Sequence, residues 1–374
     1  MTFPADPQDR SPQATDEIMA HTAIRGVAAL CVVVYHVSLS FREVMPALHQ
    51  GFAAHSYVFV DMFFILSGYI LCRKYQGWFN DGIKPAAVQR FLTLRFARLY
   101  PNYVFWFLFA LGVDLALDAW RGRDQPAGTA LSILMHLTAT QGIFDSPRHW
   151  NIPLWSIGVE FVLYAMFPFL VRFLGVTERL GAAFLALAGL AAVFGLSASG
   201  TIDIITGGLS VLRGCASFSL GMIIARYFRD LSRFSDAVLS TLQIGFCALA
   251  ALAVHMGQEF AAICCFCGIV CLAQVNRGLL YRVLRLRLPQ LIGQLSYSIY
   301  LSHATLAGLV LLTWYKLDSH LHAGPLAGFV AVGLGTILVS SCAAYVSHRY
   351  LESPAQAFLK RRLLGLTPRT GATG

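Results

Sequence analysis

The chain has 374 residues, 57% of them hydrophobic and only 13% charged, with a net charge of +9. A soluble globular domain carries about 25% charged residues, so this composition excludes an ordinary soluble domain and indicates a polytopic membrane protein. The positive balance requires no nucleic acid partner, because membrane topology and anionic lipid head groups account for it.

Residues 1–20 form a polar tail containing Pro4, Asp6, Pro7, Asp9, Pro12, Asp16 and Glu17 without an apolar run. No cleavable signal peptide is therefore expected, and the first helix is expected to act as its own targeting signal. From there, windows of about 20 apolar residues predict an all-α fold with about ten spans. They fall near 22–41, 54–73, 98–117, 155–174, 180–199, 207–227, 238–255, 259–276, 291–314 and 326–348.

The first span holds Arg25 and His36, eleven positions apart. That spacing is about three helical turns, so both side chains share one face, about 16 Å apart along the axis. An ionisable residue inside a span faces the protein interior or a water-filled cavity. The second span carries Asp61 in FVDMFFILSGY, and the third opens with Arg95 and Arg98 at positions i and i+3 of one face. Two guanidiniums so placed suit a polyanion such as a nucleotide phosphate, which arginine grips bidentately. The apolar stretch 128–144 is short and contains His136 and Gln141, so it reads as an interfacial or re-entrant helix.

Glu160 lies early in the fourth span in WSIGVEF, Arg213 opens the sixth, and His303 sits midway along the ninth in SYSIYLSH. Cys264, Cys265, Cys267 and Cys271 cluster in the eighth span without a repeated CxxC pair, which reads as small buried residues, not a metal site. No glycine-rich phosphate loop is present. After the last span come residues 357–374, a basic tail with Lys360, Arg361 and Arg362.

With a cytoplasmic amino terminus, 22 of the 28 Lys and Arg residues fall on the cytoplasmic side, which predicts that both termini are cytoplasmic. In that topology His36, Asp61, Glu160, Arg213 and His303, from five helices, lie at similar depths in the outer half of the membrane. The sequence thus presents an inner anion site formed by Arg25, Arg95 and Arg98, and an outer acid–base layer.

Seven motifs in this order resemble the acyltransferase-3 membrane O-acyltransferases. They are Arg25 with His36, D-x-FF-x-x-SG at 61–68, R-x-x-R at 95–98, W-S-x-x-x-E at 155–160, R-x(4)-F-x-x-G at 213–221, Ser298 to His303, and E-x-P at 352–354. The likeness extends over about residues 20–356, so the chain divides into a tail, a membrane domain over 21–356 and the basic tail. It implies a ten-helix enzyme of the bacterial inner membrane that moves an acyl group, usually acetyl, from acyl-CoA to a hydroxyl of an extracytoplasmic glycan. The implied acceptor is an exopolysaccharide, a lipopolysaccharide or a lipid-linked sugar. The likeness also implies a stand-alone membrane module, whereas many larger relatives append an esterase-like domain.

Within that family His36 has the central catalytic role, and Arg25, Arg95 and Arg98 serve activity or donor handling. A neutral imidazole can take the proton of an attacking hydroxyl, and Asp61 or Glu160 is expected to orient the ring. Arg213, Ser67 and Ser156 are alternative oxyanion donors, with Ser67 also expected near acetyl-CoA. Arg213, His303, Trp155, Ser156 and Tyr300 are the expected acceptor-side residues. Trp150 or Trp155 suits stacking on a sugar face, and no metal is expected. A buried channel is predicted from the three arginines to His36, with Asp61, Glu160 and His303 lining its outer half. Two other readings stand beside this one: acylation of a small glycosylated product such as a macrolide sugar, and a secondary transporter. The transporter predicts internal two-fold repeats, but the polar motifs of spans one to four do not recur in spans five to ten.

Overall fold

The computed structural model describes residues 19–124, 128–228, 231 and 233–365. The polar tail before Met19, Arg229, and the chain beyond Gly365 with Arg369 lie outside the described residues. In chain order the α-helices are α1 (Met19–Ser40), α2 (Gly51–His55), α3 (Phe59–Tyr75), α4 (Pro85–Trp120), α5 (Thr129–Leu137), α6 (Trp155–Val176) and α7 (Arg179–Leu196). They continue with α8 (Gly207–Tyr227), α9 (Asp236–His255), α10 (Glu259–Ala273), α11 (Gly278–Leu284), α12 (Arg287–Leu321), α13 (Gly324–Ser347) and α14 (Ser353–Leu364). Among the described residues nine stretches are long and apolar enough to cross a membrane, and α10 with α11 makes a tenth if the bent pair is one span. The protein is therefore an all-α, multi-pass membrane protein, and outward-facing Phe169, Phe184, Leu334 and Leu338 are exposed as lipid-facing side chains are.

Three elements depart from the simple hydropathy reading. Helix α4 starts at Pro85, well before the expected 98, because proline is pre-organised for the first helical turn while the charges at Arg90, Arg95 and Arg98 depress local hydropathy without breaking the helix. The eighth span turns by 82° between α10 and α11, at Gly278, whose φ of +86° suits glycine alone. Helix α13 runs through a π-turn at His348–Glu352 into α14. Pro354 has no N–H to continue the α ladder, and the wider turn absorbs that loss.

Glycines set the two tightest crossings. A Cβ on Gly221 of α8 would lie 1.9 Å from the Ile65 carbonyl of α3, and one on Gly68 would lie 2.0 Å from the Phe218 carbonyl. The glycines that close the second and fifth motifs thus serve one interface from opposite sides. Likewise, a Cβ on Gly293 of α12 would lie 2.2 Å from the Thr22 carbonyl of α1. Small residues permit such backbone approach inside a membrane, where helix association depends on close packing. Gly221→Val is expected to cost about 1–3 kcal/mol through overpacking; an unchanged melting temperature of the purified variant would be at odds with this crossing.

Candidate active site

The α1–α12 crossing brings two imidazoles together. His303 Nε2 lies 3.2 Å from His36 Nδ1, with the rings edge to face at 4.9 Å. His303 Nδ1 is 2.8 Å from the Tyr300 carbonyl, and His36 Nδ1 is 3.0 Å from the Val32 carbonyl. A carbonyl only accepts, so Nδ1 carries the proton in each neutral ring. His303 Nε2 then accepts from His36 Nδ1. His36 Nε2 makes no hydrogen bond among the described residues, which leaves its lone pair available as a base.

Neither expected carboxylate orients this ring. Asp61 is fully buried and accepts from Arg213 Nη2 at 2.7 Å, from Arg213 Nε at 3.1 and 3.3 Å, and from Ser217 at 2.8 Å. Arg213 is equally buried, and its guanidinium stands over the Trp155 ring at 5.4 Å. Asp61 and Arg213 therefore hold α3 to α8, and Trp155, 3% exposed, lies within the core and offers no face to a sugar. The residue that sequence reasoning missed is Asp203, in the loop between α7 and α8. Its Oδ2 accepts from Tyr35 at 3.0 Å and its Oδ1 lies 3.8 Å from Arg213 Nη1. No sequence signal marks it, since a lone aspartate in a polar loop is ordinary.

Glu160 belongs to a different compartment. A cavity between α1, α3, α4, α6 and α12 is lined by Arg25, Ser67, Arg95, Arg98, Glu160 and Tyr164, among others. Glu160 accepts from Ser67 at 2.7 Å and from Tyr164. Arg98 pairs with Glu352 at 2.5 Å, and Glu352, brought inward by the π-turn, also accepts from Ser298 at 2.9 Å. Arg95 donates to Tyr75 at 2.7 Å and stacks on that ring, yet its buried Nε has no partner among the described residues. Arg25 makes no hydrogen bond or ion pair among the described residues. Three guanidiniums thus meet in one cavity, two of them with donors to spare.

The cavity and the histidine pair meet at Tyr300. Tyr300, Phe63 and Ser156 line the cavity, and the Tyr300 ring lies 5.4 Å from Phe63 and 5.8 Å from His303. Its hydroxyl is 2.9 Å from Ser156 Oγ. The open channel anticipated from the three arginines to His36 is instead divided by this aromatic layer. His36, His303 and Asp61 do not line the cavity, and Glu160 lines its arginine half.

In the segment between α4 and α6, Arg148 pairs with Asp114 and, at 2.8 Å, with Asp118, while Trp150 donates to Asp114 at 2.9 Å. His136 is stacked on Phe107 and fully buried, which pushes its pKa down to about 4. These residues stabilise the segment through one another. Among the described residues no two of the nine cysteines form a disulfide, and no group of three His, Cys, Asp or Glu side chains is placed to hold a metal.

The sequence matches the family described as an acyltransferase domain over residues 22–345. It is 32% identical over 158 residues to protein 2 in the picA locus of Rhizobium radiobacter, covering 38% of this chain and 77% of that protein. It is 29% identical over 159 residues to the acyltransferase MdmB of Streptomyces mycarofaciens, covering 40% of this chain and 38% of MdmB. No solved structure matches it.

Proposed function

The chain belongs to the acyltransferase-3 family, and on that premise we propose that it transfers an acetyl group from cytoplasmic acetyl-CoA to a glycan hydroxyl on the other side of a bacterial inner membrane. One observation carries this reading: a three-arginine cavity and a histidine with a free Nε2 lie on either side of the same tyrosine. The arginines suit the coenzyme A phosphates, which they grip better than lysines would. Arg25 is about 16 Å along α1 from His36, a reach suited to the pantetheine arm once Tyr300 swings aside. Glu160, bonded to Ser67 and Tyr164, is then a wall of the donor cavity, and Asp61 and Arg213 are scaffold.

In the transfer step the acceptor oxygen attacks the thioester carbonyl carbon as its proton passes to His36 Nε2. The tetrahedral intermediate collapses with cleavage of the C–S bond, and the imidazolium returns the proton to the departing thiolate. Tyr300 and Ser156 offer hydroxyls for the oxyanion. The acceptor is an exopolysaccharide, a lipopolysaccharide or a lipid-linked sugar reached from the His36 side.

Two measurements test this. Purified protein should hydrolyse acetyl-CoA slowly and transfer faster when acceptor is supplied, and mass spectrometry of envelope glycans should show acetylated sugar only in cells that carry the protein. Flux of a sugar without any thioester cleavage would mark a transporter, and acetylation confined to a small secreted glycoside would move the acceptor class. Donor binding gives a further expected result: Arg95→Ala and Arg25→Ala should each weaken acetyl-CoA affinity about tenfold, the scale of one charge-assisted hydrogen bond, with Lys replacements intermediate. Unchanged affinity in both Ala variants would reduce these arginines to topological flanking charges.

A further inference from the structure

The loop carrying Asp203 is fixed from below. Glu259, 6% exposed, accepts from the Ile202 backbone N–H at 2.9 Å and from Tyr57, and Ile202 itself is buried. Asp203 is thereby held where Tyr35, the neighbour of His36 on α1, donates to it at 3.0 Å. The Tyr35 ring stands edge-on to His36 at 5.0 Å. One tyrosine side chain therefore separates a carboxylate from the imidazole.

Charge bookkeeping at this corner singles out the same residue. The single positive charge of Arg213 serves both Asp61, in tight bidentate contact, and Asp203, at 3.8 Å. One cation between two carboxylates leaves this corner with an excess of one negative formal charge. Around it stand His303 and Tyr300 on α12, His49 at 5.9 Å from Tyr35, Tyr57 at 5.5 Å, His55, and Glu259 on α10. Exposed Arg42 is the other cation, and solvent screens it. Glu160 lies beyond Tyr300 among the arginines.

Building on the acyl-transfer reading, we propose that Asp203 is a positioning residue that acts through Tyr35 and supplies the counter-charge for the imidazolium formed on His36. The proton moves from acceptor hydroxyl to His36 Nε2 and then to the coenzyme A thiolate; Asp203 keeps its charge and takes no proton. An opposite charge close to an imidazolium in a poorly hydrated site favours the protonated ring. Removing that charge makes the proton harder to hold.

The test titrates His36 by its rate of carbethoxylation with diethyl pyrocarbonate, located by peptide mass spectrometry in the full-length protein without substrate. Because only the neutral ring reacts, the midpoint reads the imidazole directly. Asp203→Asn is expected to move the midpoint to lower pH by about half a unit or more, Tyr35→Phe in the same direction, and Asp203→Glu little. In parallel, kcat should fall in Asp203→Asn while KM for acetyl-CoA holds. An unmoved midpoint in both Asp203→Asn and Tyr35→Phe overturns the proposal, as does lost kcat with an unmoved midpoint, which would make Asp203 a loop anchor. A wild-type protein that transfers no acyl group would defeat the acyl-transfer reading instead, and the carbethoxylation midpoint would still judge the charge coupling.

Discussion

His36→Ala is expected to lower acetyl transfer by about a hundredfold or more while the protein still inserts and purifies as a folded species. General-base help is worth about that much, and His36 Nε2 is the nitrogen of the histidine pair that the other ring and the backbone carbonyls leave free. The folded state should survive because, among the described residues, the His36 side chain bonds to the Val32 carbonyl and to His303 alone. His303→Ala should do less harm, about tenfold, since the Val32 carbonyl still holds the Nδ1 proton of His36 and keeps its tautomer. Acetyl-CoA consumption with acceptor present measures both. If His36→Ala keeps more than about a tenth of the wild-type rate, His36 is not the base.

What the sequence made legible was everything that depends on position along one helix. Apolar runs located the spans, and the eleven-residue interval placed Arg25 and His36 on one face of α1. Depth grouped His36 and His303 with three other polar residues but did not pair them. Depth, however, says nothing about azimuth. The rotation of α3, α6 and α8 about their own axes divides His36, Asp61, Glu160, Arg213 and His303 into a histidine pair, a buried ion pair and a cavity wall. Which neighbours meet is decided by close crossings such as Gly68 with Phe218, a long-range fact that no window of sequence contains. Asp203 was hidden for a related reason. Its role comes from a loop conformation pinned by Glu259, 56 positions further along the chain. The π-turn that delivers Glu352 to Arg98 likewise follows from Pro354 only once α4 is known to stand opposite.

Breaking the Asp61–Arg213 pair from one side is expected to be among the most damaging changes to the fold. Both side chains are fully buried, with contacts of 2.7 to 3.3 Å reinforced by Ser217. Removing one partner strands a charge in the bundle core, which typically costs about 3–5 kcal/mol. Asp61→Leu or Arg213→Met alone should therefore yield aggregated protein or a sharply lowered melting temperature. The double variant should recover much of the lost stability, because replacing a whole buried pair by apolar groups of similar volume is often neutral. It removes one positive and one negative charge, so the net charge beside Asp203 is unchanged. The discriminating result is Asp61→Asn: the amide keeps most of the volume but lacks the charge. If that variant melts like wild type and transfers no acetyl group, the carboxylate belongs to the chemistry; if it loses stability first and its surviving folded fraction still turns over, Asp61 is what its surroundings indicate, the pin that fixes α3 against α8.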